Sequence, residues 1–390
     1  MTAAAPQLHR AAAASRGGSP VLVEGVQTTL VDLPLHRPHR FRDTTMDAQA
    51  VLLVRLRTRD GVVGVGEGVV PGGPWWGGES VETMKVIVDR YLAPLVVGAD
   101  LTRLPALRER MDRLVAANPF AKCALETAMW DAWARTLGLP LHALLGGRCR
   151  DALPVTWAIG AADPEAVVEE ALAKVNSGQH ASIKLKMGAL EPAADVARVE
   201  QVAAALVQVT SVRVDLNCAW DELTATRLLP RLEQAGIDLV EQPTPAHDVD
   251  ALARLSALLR IPVMADETLC TDHDALVLAA RRAADVFSLK IGKSGGLLAT
   301  QRIAAVAHAA GIPCHGGTGL ESSIGTLAGA HLMCSLPAAT YGCELFGPLL
   351  MTDGLLAEPL DYRDGALHLP DGPGLGVDLD EDRVARHARP

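Results

Sequence analysis

The segment RVDLNCAWDELTATRLLPRLEQAGIDLVEQPTPAHDVDALARLSALLRIPVMADE (Arg213–Glu267) shows how the chain is organised. Three short apolar runs in it end in an acid, at Asp215, Glu241 and Asp266, and stretches with helical spacing of Leu and Ala lie between them. Strand alternating with helix implies a parallel sheet. The pattern continues outward on both sides. Runs at Val155–Ile159 and Ile183–Met187 precede it, and runs at Val286–Ile291, Pro313–Gly316 and Tyr341–Phe346 follow. Together with Val212–Leu216, Leu239–Glu241 and Pro262–Glu267 they make eight strand-and-helix units. That number predicts an α/β fold, a (β/α)8-type barrel with its site at the C-terminal ends of the strands. A doubly wound open sheet is the alternative.

The strand ends carry the chemistry. Side chains two apart on a strand point the same way, so Lys184 and Lys186 share one face, as do Asp215 and Asn217. In a barrel these groups, with Glu241, Asp266, Glu267 and Lys290, converge on one mouth. Asp215, Glu241 and Asp266 form an oxygen-rich set suited to a hard cation, Mn2+ or Mg2+, with no nearby His or Cys to favour zinc. Taken singly, each acid reads equally well as a strand-end charge or a helix cap. Three at matched positions, flanked by lysines, do not. Lys184, Lys186 and Lys290 stand in apolar strand context, where a lysine beside a cation and another lysine has its ammonium form disfavoured. Snorkelling to solvent is the ordinary alternative for such a lysine.

Outside the barrel the reading is coarser. Residues 1–20, rich in Ala, read as a floppy tail without a signal-peptide core, which places the protein in the cytoplasm. Residues 21–150 read as an α+β unit: strands near Val21–Leu33 and Val51–Val65, a hairpin turn at Arg59-Asp60-Gly61, a glycine-rich loop Gly64–Gly77, and helices from Ser80 to Leu137. The barrel spans 151–350, and 351–390 returns to the first unit. The chain is 49% hydrophobic and 21% charged, enough apolar surface for a packed core. Its net charge of −10 would be repelled by nucleic acid or an anionic membrane. The seven cysteines are scattered with no CxxC, so they read as buried free thiols. Other motifs fail. Gly292-Lys293-Ser294 lacks the leading Gly of a P-loop, since Phe287 stands there, and neither HExxH nor GxSxG occurs. His315, on the seventh strand, lines the site or is structural.

The set KLK (Lys184–Lys186), VDLN (Val214–Asn217), VEQP (Val240–Pro243), MADE (Met264–Glu267) and SLKIGKSGG (Ser288–Gly296) resembles the muconate-lactonizing subgroup of the enolase superfamily. The likeness runs from about Val21 to the C-terminus. It implies a barrel with an N-terminal α+β capping domain completed by the C-terminal segment. Enolase-superfamily sites use a lysine or histidine base with one or two divalent ions. Carried over, Asp215, Glu241 and Asp266 become the metal ligands. Lys186 becomes the general acid/base, Lys184 its electrostatic partner, and Lys290 the group on the opposite face. Glu344 takes the place of the acid after the eighth strand, and Asn217, Glu267 and Lys293 support the ligands.

Two segments turn the resemblance toward muconate. The loop Gly317–Gly325 looks like a place where the hydroxyls of Thr318 and Ser322 and a helix N-terminus receive a carboxylate. Cys343–Leu350, with Phe346, and the tail GPGLGV (Gly372–Val377) point the same way. Dipeptide epimerases of the subgroup favour Asp-x-Asp near the eighth strand, and only Glu344 stands here. In the capping loop, Trp76 resembles the chloromuconate enzymes, while Pro71 matches neither pattern. The resemblance thus implies lactonization of cis,cis-muconate, or a chloro- or methyl-muconate, to muconolactone through an enolate, in aromatic catabolism. It also implies a small-molecule dicarboxylate as the partner, and a ring-shaped homo-oligomer such as an octamer. N-acylamino-acid racemase, succinylbenzoate synthase and dipeptide epimerase are alternatives within the subgroup. A non-catalytic metal-binding barrel is the alternative of another class.

Overall fold

The structure, a computed structural model, describes residues 19–40, 44–160 and 162–390. All but two residues of the expected N-terminal tail lie outside these. Strands β1 (Val23–Arg40), β2 (Thr45–Thr58) and β3 (Val63–Gly68) form an antiparallel sheet in that order. The turn between β2 and β3 carries Gly61 at φ 83°, a conformation that favours glycine. Helices α1 (Pro74–Gly77), α2 (Val81–Ile87), α3 (Ala93–Val96), α4 (Leu104–Leu114), α5 (Pro119–Leu137) and α6 (Leu141–Leu144) follow.

The glycine-rich stretch expected to be a loop begins instead as strand β3. Its glycines are spacers. A Cβ on Gly64 would lie 2.3 Å from the Ala132 amide nitrogen, and one on Gly66 would lie 2.1 Å from the Ala124 carbonyl oxygen. Helix α5 therefore rests directly on the strand, and it is buried without a break from Phe120 to Ala132. Gly66→Ala must push backbone from backbone, so urea unfolding should show a loss of about 3 kcal/mol. An unchanged midpoint would mean that α5 can move away freely.

The barrel alternates β5 (Thr156–Ile159), α7 (Pro164–Asn176), β6 (Ser182–Lys186), α8 (Pro192–Ala205), β7 (Val212–Asp215), α9 (Glu222–Gln234), β8 (Leu239–Glu241), α10 (Val249–Leu258), β9 (Val263–Ala265), α11 (Asp272–Arg281) and β10 (Val286–Leu289). After β10 come α12 (Ile291–Ser294), α13 (Leu297–Ala310), β11 (Cys314–Gly316) and α14 (Ser323–Ser335). The seven strands β5 to β11 pair in parallel and in chain order.

The eighth strand, expected over Tyr341–Phe346, shrinks to Cys343. This residue makes parallel bridges to Val155 on one side and Gly316 on the other, and so closes the ring. The chain cannot run straight on either side of it. Gly342 sits at φ 69° against the Pro154 carbonyl, and Phe346 N turns back to donate to Glu344 O at 2.8 Å.

The C-terminal residues touch both halves of the molecule. Strands β12 (Asp361–Arg363) and β13 (Ala366–His368) form a three-stranded sheet with β4 (Ala152–Pro154), just before β5. Farther on, Leu375 N donates to Asp131 of α5 at 2.7 Å. Beyond α15 (Glu381–His387), Arg389 grips Asp32 of β1. One apolar core fills the barrel and a second lies between the capping sheet, α5, α14 and this tail. No helix among the described residues is long and apolar enough to cross a membrane.

Candidate active site

The barrel register brings the charged strand ends level. Lys186 pairs with Asp215 across β6 and β7, and Asp215 pairs with Glu241 across β7 and β8. Asp266 lies just past β9 and Lys290 just past β10. Lys184, 2% exposed, sits among three acids: Nζ lies 2.5 Å from Glu344 Oε2, 2.8 Å from Glu241 Oε2 and 3.3 Å from Asp215 Oδ2. Lys186 Nζ donates to Asp215 Oδ2 at 2.5 Å and to Asn217 Oδ1 at 2.9 Å. Asp266 accepts from Lys290 at 2.5 Å and from Lys293 at 2.6 Å. Asn217 Nδ2 completes the set, donating to Glu267 Oε1 at 2.9 Å.

The disfavoured ammonium form expected of the lysines was that of a lysine beside a cation, whereas here the lysines face the acids directly. Burial does push Lys184 down, but Glu241, Glu344 and Asp215 outweigh it and raise it well above the usual lysine range. Lys290 is raised in the same way, chiefly by Asp266 against burial. The acids divide. Asp266 and Glu344 are held low by their lysines against burial. Burial, then the charge of Asp215, pushes Glu241 up to about 8, and burial, then Asp266, pushes Glu267 up to about 7.

The cluster therefore holds more buried carboxylate than its lysines neutralise. As placed, no group of three His, Cys, Asp or Glu side chains among the described residues closes on a point that would hold an ion. Lysine ammonium groups stand between the acids. The donor set nevertheless fits a hard divalent cation: oxygens from three adjacent strands, strong mutual repulsion, and a buried Glu267 Oε2 with no hydrogen-bond partner among the described residues.

A narrow cavity opens above this cluster. Lys184, Lys186, Asn217, Lys290 and Glu344 line it, with Trp76, Thr318 and Phe346 as walls, so most of the residues singled out in the sequence meet there. Lys290 Nζ lies 4.6 Å over the Trp76 ring, a cation–π contact. Strands β6 and β10 are four places apart in a ring of eight, so Lys184 and Lys186 approach from the side opposite Lys290.

Ser322 is not part of this cavity. It was expected to bind substrate, but its hydroxyl is buried and donates to Glu67 of β3. Thr318 does reach the cavity, yet its hydroxyl donates to Glu321 Oε2 at 2.6 Å. The Thr318 hydroxyl and Gly319 N thus serve Glu321, and the Ser322 hydroxyl with Ser322 N and Gly325 N serves Glu67.

His39, Ala158 and Leu320 also line the cavity and were not anticipated. His39 arrives because β1 runs on to Arg40, well past the expected end near Leu33. Arg37 anchors that extension by donating to Glu170 Oε1 of α7 at 2.6 Å, an oxygen that also accepts from Trp157 Nε1 at 2.8 Å. Burial, then Lys186, Arg37 and Lys184, pushes His39 down to about 3, so it faces the cavity as neutral imidazole. The only local signal was the run His36-Arg37-Pro38-His39-Arg40, dense in polar groups at a strand end.

A wider cavity of about 650 Å3 lies on the outer face of the capping sheet. Of its arginines, Arg55 pairs with Glu381 and Arg135 with Asp131 and Asp378, while Arg57 only approaches Glu24, at 3.9 Å.

Known proteins match along nearly the whole chain. Residues 24–146 match the family described as Mandelate racemase / muconate lactonizing enzyme, N-terminal domain, and residues 166–383 match Enolase C-terminal domain-like. The chain is 52% identical to muconate cycloisomerase 1 of Rhodococcus opacus, over 94% of this chain and 98% of that one. It is 44% identical to a chloromuconate cycloisomerase of Cupriavidus necator, over 94% and 99%. Among solved structures, a muconate lactonizing enzyme from Pseudomonas fluorescens complexed with muconolactone superimposes with a TM-score of 0.93. It shares 45% identity and covers 95% of this chain and 100% of its own. On this sequence and fold, with the lysines and acids in register at the barrel mouth, the chain belongs to the mandelate racemase/muconate lactonizing enzyme family.

Proposed function

We propose that the protein is a muconate cycloisomerase, converting cis,cis-muconate or a chloro- or methyl-substituted muconate into the corresponding muconolactone. The observation that carries this reading is the pair Lys184 and Lys186 facing Lys290 across a cavity walled by Trp76, Leu320 and Phe346. A flat diene dianion suits such a space. Its charged ends meet ammonium groups and its apolar middle meets the aromatic walls.

The enzyme depends on a divalent metal ion, as its family does. Mn2+ or Mg2+ held by Asp215, Glu241 and Asp266 would supply positive charge to one substrate carboxylate and to the negative charge that collects on it. The other carboxylate adds through oxygen to the alkene carbon four positions away. The electron pair of that double bond moves onto the carbon next to the first carboxylate, giving an enolate. Lys186 Nζ delivers its proton to that carbon and regains one from solvent. Lys184 keeps its charge among Glu241, Glu344 and Asp215 and so holds Lys186 and the acids in place. Lys290 faces the other side of the substrate. Trp76 and Phe346 exclude water from the ring-closing carbon.

The test is the loss of diene ultraviolet absorbance when the protein meets cis,cis-muconate and Mn2+, with and without chelator. Chelator-sensitive loss is expected. No loss with Mn2+ bound would discard muconate and favour proton exchange at the α-carbon of N-acyl amino acids between Lys186 and Lys290. The same reading carries a ring-shaped homo-oligomer, which sedimentation velocity would reveal.

A further inference from the structure

Every helix leaves its first backbone N–H groups without partners inside the helix. In the barrel, α8, α9, α10 and α11 satisfy some of theirs with the side chain just before the helix, from Glu191, Asp221, Asp248 and Thr271 respectively. Helices α13 and α14 do not. The first starts from Gly296, which has no side chain, and Ser322 before the second turns its hydroxyl away from the helix amides.

Their donors go to the capping domain instead. Glu126 of α5 accepts from Leu298 N at 2.9 Å. Glu67 of β3 accepts from Ser322 N at 2.6 Å, from Gly325 N at 2.9 Å and from the Ser322 hydroxyl. The glutamates are 0% and 4% exposed. A Cβ on Gly296 would stand 2.5 Å from the Glu126 carboxyl carbon, so that glycine makes room for Glu126. One on Gly325 would meet Glu321 Cγ first, at 2.8 Å, with the Glu67 carboxyl carbon at 3.3 Å. Burial pushes Glu67 up to about 7, and the Ser322 and Gly325 donors are what pull against it. A buried acid of this kind is costly unless its donors are used.

Each helix start adjoins a loop of the active site. Arg108 of α4 donates to Glu126 Oε2 at 2.9 Å and also to the Gly295 carbonyl, which closes α12. Lys290 immediately precedes α12 and Lys293 lies within it. The loop before α14 carries Thr318 and Leu320 into the cavity. We propose that Glu67 and Glu126 are positioning residues through which the capping domain, by capping α14 and α13, sets the two barrel loops that carry Thr318 and Leu320 and Lys290 and Lys293. The kinetic consequence rests on the cycloisomerase reading, whereas the placement of the loops does not.

Glu67→Gln and Glu126→Gln test this in the full-length protein. Each keeps the size of the side chain but can turn an NH2 toward donors: Ser322 and Gly325 in one case, Arg108 in the other. Amide hydrogen exchange is expected to rise about tenfold at 322–325 in Glu67→Gln only, and at 297–298 in Glu126→Gln only. With cis,cis-muconate and Mn2+, Glu67→Gln should raise KM about fivefold and keep kcat within twofold. Glu126→Gln should lower kcat about fivefold with KM within twofold. A merely structural role would lower thermal stability and leave both constants of the folded enzyme unchanged, and that result overturns the proposal. So does unchanged protection at both helix starts. Should Glu67→Gln fail to fold, Ser322→Ala deletes a single donor and should raise KM about threefold; a parental KM would then count against the proposal. A parent enzyme that does not consume muconate would sink the cycloisomerase reading alone. The exchange data would then decide: rises confined to the matching loop support the placement, and their absence refutes it.

Discussion

Lys186→Ala should lower muconate turnover about a thousandfold, roughly 4 kcal/mol of barrel-mouth catalysis, while Mn2+ still binds. The size follows from the role. A positioned proton donor contributes about 10²–10⁴ in rate, and among the described residues no other ammonium on this side of the cavity is free to replace it. Lys184 is committed to Glu241, Glu344 and Asp215. Metal binding should survive because the substitution removes a positive charge 2.5 Å from Asp215 Oδ2. Cation affinity should therefore hold or rise. Lys186→Arg should fail as badly as alanine, since a guanidinium keeps its proton and has a different shape. Stopped-flow loss of diene absorbance, beside a Mn2+ titration of each variant, checks this. If Lys186→Ala keeps more than a tenth of the parent rate, proton delivery passes to Lys290 and the stereochemical course inverts.

Asp266→Asn should have the second largest effect, and on two quantities at once. Asp266 is fully buried and accepts from Lys290 and Lys293 on its two oxygens. An asparagine keeps one acceptor but turns an NH2 toward the other lysine. Leaving a buried ammonium without its acid costs about 3–5 kcal/mol, so the thermal midpoint should fall by several degrees. The proposed cation site loses one of three charged oxygen ligands, and Mn2+ affinity should drop about a hundredfold or more. Calorimetric titration and thermal unfolding separate the two effects. Mn2+ affinity within threefold of the parent would remove Asp266 from the ligand set, whatever happens to stability.

Much of this protein is written in neighbouring residues. Alternation of apolar runs with helical stretches is a local pattern, so all eight barrel positions could be placed from the sequence, the eighth as a longer run than the one residue that pairs. Period-two spacing is equally local, and it put Lys184 with Lys186 and Asp215 with Asn217. Strands in register then made the acids of successive strands level without further information. The rest depended on partners far away in the chain. Cys343, inside the expected run Tyr341–Phe346, closes the barrel through single bridges to Val155 and Gly316, and the shortness of that strand is set by those distant partners. The glycines of β3 looked like a loop until α5 lay on them at backbone distance. His39 reaches the cavity because Arg37 finds Glu170, 133 residues later.

The electrostatic state of the site was the least legible part, because charge in a buried place is set by whatever surrounds it. Beside a cation Lys184 would have its charge disfavoured, whereas the three acids from three other strands that close on it raise it well above the usual lysine range. Ser322 looked like a ligand for substrate, and Glu67 of the capping domain took its hydroxyl. Adjacent residues were enough to say which residue types stand at the barrel mouth, since strand periodicity is a local property. Which of them line the cavity, and which acids each lysine pairs with, came from burial and pairing, which bring together groups that the chain keeps hundreds of residues apart.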